Sequence, residues 1–143
     1  MSVQAISIGD AAKLSGVKIP TIRYYEQIGL LPPSTRTAAN RRVYDELDLR
    51  RLAFIRHGRE LGFDIDAIRT LLTLQGAPNQ PCAQADAIAR ERLVDVDQRI
   101  ASLVALRDEL RRMLQECAHG RIADCRVIEV LADHSQCRLH VRN

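Results

Sequence analysis

The longest unbroken hydrophobic pattern in this chain runs from Cys82 to Cys117, CAQADAIARERLVDVDQRIASLVALRDELRRMLQEC. The run holds no Gly and no Pro, and it is rich in Ala, Leu, Arg, Glu and Gln, all strong helix formers. Apolar residues recur at Ala89, Leu93, Val96, Ile100 and Leu103, then at Leu110, Leu114 and Cys117, with Leu106 and Met113 nearby. This three-then-four spacing is that of a coiled-coil seam. A helix with one apolar stripe and charged flanks needs a partner helix, most simply the same helix of a second chain. Its end cysteines lie roughly 50 Å apart at a rise of ~1.5 Å per residue, so they cannot share a ligand within one chain. An antiparallel pair would set Cys82 beside the partner's Cys117, although periodicity alone does not give the direction.

Shorter patterns precede this run. Ile6 and Ile8 suggest a short strand. A small helix, DAAKLSG, follows, with Asp10 as its cap and Gly16 as its end. Val17-Lys18-Ile19 forms a turn. Pro20 suits the first turn of a second helix, TIRYYEQIG, that closes at Gly29. Two short helices across a tight turn make a helix-turn-helix unit. Ile22, Tyr25 and Ile28 should pack inward, leaving Thr21, Arg23 and Tyr24 near the end that such helices place in the major groove. After Leu30-Leu31-Pro32-Pro33, the stretch STRTAANRRVY reads as a short hairpin or wing, with a turn at Asn40. Asp45 or Asp48 starts a third helix through Leu61, whose apolar side is Leu49, Leu52, Phe54, Ile55 and Leu61. Gly62-Phe63 stops it, and Asp64 caps a fourth helix that ends near Gln75-Gly76. GAPNQPC is a linker. Beyond the long helix come a loop with Gly120, then one or two helical turns over 126–131, then a tail without a usable pattern.

Composition narrows the function classes. Of the 143 residues, 46% are hydrophobic, which marks a globular chain, and 3% are aromatic with no Trp, which argues against a large aromatic-lined pocket. No stretch approaches the ~20 apolar residues of a membrane span. The first residues lack the pattern of a signal peptide, and the expected location is the cytoplasm. The net charge of +3 is mild, but its distribution matters more. Residues 1–75 carry 11 Lys and Arg against 8 acids, whereas 76–143 carry 10 against 10. Between 36 and 59 lie seven Arg and three acids, and all five aromatics fall from Tyr24 to Phe63. A basic, aromatic half beside a neutral helical half suggests a nucleic-acid reader joined to a dimer arm. Arg36, Arg41 and Arg42 are suited to neutralise phosphates. No nucleophile–base pair, glycine-rich phosphate loop or paired carboxylates stand out, so an enzyme is not expected. The four cysteines, Cys82, Cys117, Cys125 and Cys137, point in a cytoplasmic protein to metal or redox chemistry rather than a disulfide framework.

The stretches TIRYYEQIGLL, NRRVYDELDLRRL and LGFDIDAIRTLL closely resemble the N-terminal domain of MerR-family transcription regulators. With the long helix and its flanking cysteines, the resemblance extends to the metal-responsive branch and covers nearly the whole chain. It implies a mainly α fold: a winged helix-turn-helix DNA-binding domain with a long antiparallel coiled-coil dimerisation helix. On this chain that gives the DNA-binding domain at 1–75, a linker at 76–81, the dimerisation helix at 82–117, a metal-binding loop and short helix at 118–131, and a tail at 132–143. It also implies a homodimer on double-stranded promoter DNA. The loaded dimer distorts a promoter whose elements are badly spaced, so that RNA polymerase engages both, and metal resistance or efflux genes are activated. Thr21, Arg23 and Tyr24 would serve the recognition helix, and Arg36, Arg41 and Arg42 the wing.

By the same resemblance, Cys82, Cys117 and Cys125 occupy the positions of the family's thiol ligands. Cys82 starts a long helix, where the dipole favours a thiolate. Thiolates select soft or borderline ions. Monovalent copper sensors of this branch use two loop cysteines and carry Ser where this chain has Cys82. Three thiolates leave two net negative charges around a monovalent ion and one around a divalent ion, so the expected effector is divalent, of the Zn, Cd, Pb or Hg class. His119 would complete a tetrahedral site for zinc. Zinc-responsive members carry adjacent cysteines where this chain has Glu116-Cys117, a departure that argues against two zinc ions. His134 and Cys137 are accessory at most. The alternatives are a Cu(I)-responsive regulator and a thiol redox sensor on the same scaffold.

Overall fold

The structure, a computed structural model, describes residues 5–116 and 120–133. The chain divides into two compact units, Met1–Ala89 and Arg90–Asn143. In the first, β1 (Ile6–Ser7) leads directly into α1 (Ile8–Ser15). Ile8, expected in the strand, therefore opens the helix, and Ser7 rather than Asp10 caps it. The Ser7 hydroxyl accepts the Asp10 N–H at 3.1 Å. Asp10 is left inside the first turn, where its charge suits the positive end of the helix. Gly16 ends α1 as expected, in the left-handed region at φ 72°, donating to Ala12 O at 2.9 Å.

Helix α2 (Ile19–Gln27) starts two residues earlier than the sequence suggested, with Pro20 in its first turn. Ile22 and Tyr25 are buried, and Ile28 packs partly against the same core. Past Gly29, Leu30 and Leu31 turn into the core, each donating its N–H to Tyr25 O. The hairpin is β2 (Thr35–Arg36) and β3 (Arg42–Tyr44), antiparallel, with Asn40 at φ 61° in the turn. Asn tolerates that conformation better than most residues. The leading strand joins them, giving a three-stranded sheet in the order β1-β3-β2, with Ile6 opposite Tyr44.

Helix α3 (Glu46–Glu60) uses both candidate starters: Asp45 accepts the Asp48 N–H and Asp48 accepts the Asp45 N–H, a reciprocal capping box. Leu52 and Ile55 are fully buried and Leu49 and Phe54 partly so, but Leu61 is 66% exposed. The helix ends at Glu60, which leaves Leu61 outside its inward stripe. Gly62, at φ 83°, turns the chain toward Asp64, which caps α4 (Ile65–Gln75) by accepting from Ala67 N at 2.7 Å. Ile22, Leu30, Leu52, Ile55 and Ile68 meet in one core. Burying such a side chain stabilises by about 1.5–3 kcal/mol, and here the gain fixes α2 and the wing on one scaffold.

Helix α5 (Ala83–Gln115) is unbroken over 33 residues. Along it Leu93, Ile100, Leu103, Leu110 and Leu114 are all exposed. In the second unit a short 3-10 turn (Ile122–Asp124), absent from the sequence reading, precedes α6 (Arg126–Ala132). Met113, placed near the seam by the pattern, is buried instead, as is Val130 of α6. An ion pair at 2.8 Å between Glu116 and Arg126 joins α6 to the end of α5. Among the described residues no helix is long and apolar enough to cross a membrane.

Candidate DNA-binding face and thiol site

The exposed side of α2 and the wing form one surface. Arg23 and Tyr24 are exposed on α2, and Thr21 is half-buried beside them. Tyr24 leans on Tyr25, ring centres 6.1 Å apart, which leaves its outer face to solvent. Arg41 is exposed on the wing. Arg36 is exposed too, and its Nη1 donates to both the carbonyl and the side-chain oxygen of Asn40 at 3.3 Å. Arg42 differs: it is half-buried, and its Nη1 lies 3.3 Å from Glu26 Oε2. A groove of about 450 Å³ between helix and wing is lined by Arg23, Glu26, Gln27, Ser34, Arg36 and Arg42, with Pro33 at its edge.

Three other arginines of the basic half bond to backbone carbonyls. Arg51 Nε donates to Leu30 O at 2.6 Å, Arg56 Nη1 to Ser15 O at 3.1 Å, and Arg69 Nη2 to Ile28 O at 2.8 Å. These three satisfy carbonyls where α1 and α2 end, the place where cations complement the helix dipole. Arg51 is half-buried, whereas Arg56 and Arg69 stay exposed while they make these bonds, so part of the positive charge counted in the sequence also braces the fold.

Sequence reasoning missed Glu26. Its side chain is only 10% exposed. Its Oε1 accepts the Tyr44 hydroxyl at 2.5 Å. Burial first, then this bond to a carboxylate, pushes the Tyr44 phenol up to about 12. The signal was present in the sequence: Glu26 lies four residues after Ile22, on the inward stripe, where a carboxylate needs a partner.

Of the thiol residues, Cys82 and Cys125 lie within the described residues, whereas Cys117, His119, His134 and Cys137 lie outside them. Cys82 is exposed just before α5, its carbonyl accepting the Asp86 N–H at 2.9 Å. A helix start favours a thiolate, but here the thiol is pushed up. The chief cause is the hydrogen bond it donates to Asp86 Oδ1 at 3.5 Å, followed by the charge of that carboxylate. Asp86 lies one turn on, on the same side of the helix start. Cys125 is half-buried between the 3-10 turn and α6. Among the described residues no three His, Cys, Asp or Glu side chains gather to hold an ion. Soft sulfur donors on an exposed helix start and beside a closed turn nonetheless fit a thiophilic ion better than Mg or Ca.

Two family models match the chain: "MerR HTH family regulatory protein" over residues 6–75 and "MerR, DNA binding" over 49–113. The transcriptional regulator HmrR of Sinorhizobium medicae is 37% identical over 127 residues, covering 89% of this chain and 86% of that protein. ZntR of Escherichia coli K12 is 40% identical over 128 residues, covering 87% and 90%. The solved structure of PbrR691 from Ralstonia metallidurans, in complex with lead(II), superimposes with a TM-score of 0.75 at 33% identity, covering 88% of this chain and 98% of that one. The winged helix-turn-helix, the long helix and these likenesses agree, and the chain belongs to the MerR family of transcription regulators, in its metal-responsive branch.

Proposed function

We propose that this regulator works as a homodimer on double-stranded promoter DNA and answers a divalent thiophilic ion of the Zn, Cd, Pb or Hg class. Thr21, Arg23 and Tyr24 meet the major groove from α2, and Arg36 and Arg41 meet phosphates from the wing, with Arg42 at the base of the same surface. Residues 1–75 serve as the DNA-binding domain, 76–81 as linker and 82–117 as dimerisation helix. Residues 118–131 form the metal loop and short helix, and 132–143 the tail. The exposed stripe of α5 is the observation that carries the dimer: Leu93, Ile100, Leu103, Leu110 and Leu114 have no cover within the described chain. An antiparallel partner helix would cover them.

Cys82 of one subunit, with the partner's Cys117, His119 and Cys125, would hold the ion. A bound cation supplies the positive charge that lets thiolates from two chains stand together. The Glu116–Arg126 ion pair ties the end of α5 to the start of α6, next to Cys125. The exposed Cys82 thiol is open to a donor set outside its own chain. With the ion bound, the dimer distorts the promoter, and RNA polymerase then engages both of its elements to transcribe metal resistance or efflux genes. The charge count favours a divalent over a monovalent ion. The lead complex is a property of PbrR691 and gives a precedent on the same fold.

Replacing Cys82→Ser tests the assignment. The variant should dimerise and bind promoter DNA as before, because the thiol is exposed and remote from α2 in sequence. Its promoter-fused reporter should no longer respond to Zn, Cd, Pb or Hg salts. Full induction in that variant would remove Cys82 from the site.

A further inference from the structure

One carboxylate sits where the recognition helix meets the wing. Both oxygens of Glu26 are engaged, Oε1 by the Tyr44 hydroxyl at 2.5 Å and Oε2 by Arg42 Nη1 at 3.3 Å. Arg42 and Tyr44 are two residues apart on β3 and so share a face of the strand. A single residue of α2 therefore grips two successive same-face residues of the wing. We propose that Glu26 is the positioning residue that fixes the wing against the recognition helix, and that Arg42 serves Glu26 rather than a DNA phosphate. The inference rests on the DNA-binding reading of this face.

Three features support it. A carboxylate this buried is costly unless paired and hydrogen-bonded, and Glu26 meets both conditions only while Arg42 stays with it. A phosphate that approached Arg42 would also approach the carboxylate beside it, and like charges repel. Arg36 is the register partner of Arg42 across the hairpin, and two cations directly opposite each other are unfavourable. Pairing Arg42 with Glu26, and Arg36 with Asn40, resolves that conflict. Arg41 points to neither partner and is exposed, so it remains for phosphate. With the clamp closed, Arg23 on the helix and Arg36 and Arg41 on the wing present a fixed spacing to the duplex.

The salt dependence of DNA binding separates the two roles. The probe is a 40-base-pair duplex of about four helical turns, recovered from random sequence by binding to the full wild-type chain. Arg41→Ala should flatten the plot of log affinity against log salt by about one unit per subunit. Arg42→Ala should instead shift the line downward in parallel, about tenfold weaker at every salt concentration, with its slope kept. Glu26→Gln, which keeps an acceptor for the Tyr44 hydroxyl but removes the charge that holds Arg42, should weaken binding in the same parallel manner. Circular dichroism melts verify folding, and Arg42→Met, which keeps the apolar stem, replaces the alanine variant if that unfolds. A flattened slope for Arg42→Ala or Arg42→Met, or a folded Glu26→Gln chain that binds as tightly as the wild type, overturns the clamp. A wild-type chain that recovers no duplex at all overturns the DNA-binding reading instead.

Discussion

Gly16 illustrates how much hangs on single positions in the helix-turn-helix. It sits at φ 72°, and a Cβ added there would collide with the Arg56 guanidinium, which donates to Ser15 O at 3.1 Å. Gly16→Ala should therefore lose on both counts, the left-handed backbone and the displaced arginine, by about 1–3 kcal/mol. Urea denaturation of both proteins measures this, and an unchanged midpoint would show that the turn tolerates a side chain. The glycine was legible in the sequence as a helix stop. Its second role was not, because Arg56 is distant in the chain and only the packed fold brings it to Ser15. The same limit applies to Arg51 and Arg69, whose bonds to Leu30 O and Ile28 O a charge count does not disclose. Cys82 gives the converse lesson: the dipole argument considered only the helix start, whereas the carboxylate of Asp86 one turn on pushes the thiol up.

At the scale of elements, the wing is tied to α2 through Glu26, which meets both Tyr44 and Arg42, in addition to its own hairpin. Tyr44 is buried and its phenol is pushed from 10.0 up to about 12, first by burial and next by the Glu26 carboxylate. The folded state thus holds this proton more tightly than the unfolded chain. The associated stability is fully present below pH ~10 and is lost as pH rises toward ~12, about 3 kcal/mol in all at 1.36 kcal/mol per pKa unit. Urea midpoints taken at pH 9 and above should fall more steeply for the wild type than for Tyr44→Phe, which has no proton to lose. Parallel curves would show that the phenol is not held in this way. Element boundaries followed the sequence where one residue decides them, as at Asp64 and Asn40. Where there were two candidates, the outcome varied. Asp45 and Asp48 act together in one capping box. Ser7 took the cap from Asp10, and Ile8 passed from strand to helix; Ser and Asp cap about equally well, so residue type could not choose between them.

At the scale of the molecule, the apolar stripe of α5 was the clearest signal in the chain. The structure leaves it exposed along most of its length, with Met113 withdrawn beneath cover in the second unit. Periodicity disclosed that a partner helix is needed, but the direction of pairing lies in contacts between chains and came from family resemblance. The proposed DNA-binding face stood out in the sequence as a group of basic and aromatic residues. The division of labour within it, with Arg42 turned to Glu26, required the packed wing. The proposed thiol site came from family resemblance, because its proposed donors are distant along the chain and are assigned to two subunits.

Sharing of donors between subunits can be measured with mixed dimers. Cys82→Ser and Cys125→Ser subunits, carrying different affinity tags, are refolded together, and the heterodimer is purified and titrated with cadmium while the sulfur-to-metal absorption is followed. If donors come from both subunits, each parent homodimer loses tight cadmium binding, whereas the heterodimer regains one site, formed by the intact Cys82 of one chain and the intact Cys125 of the other. A heterodimer as inert as its parents, or a Cys82→Ser homodimer that binds cadmium like the wild type, would contradict a site shared between subunits.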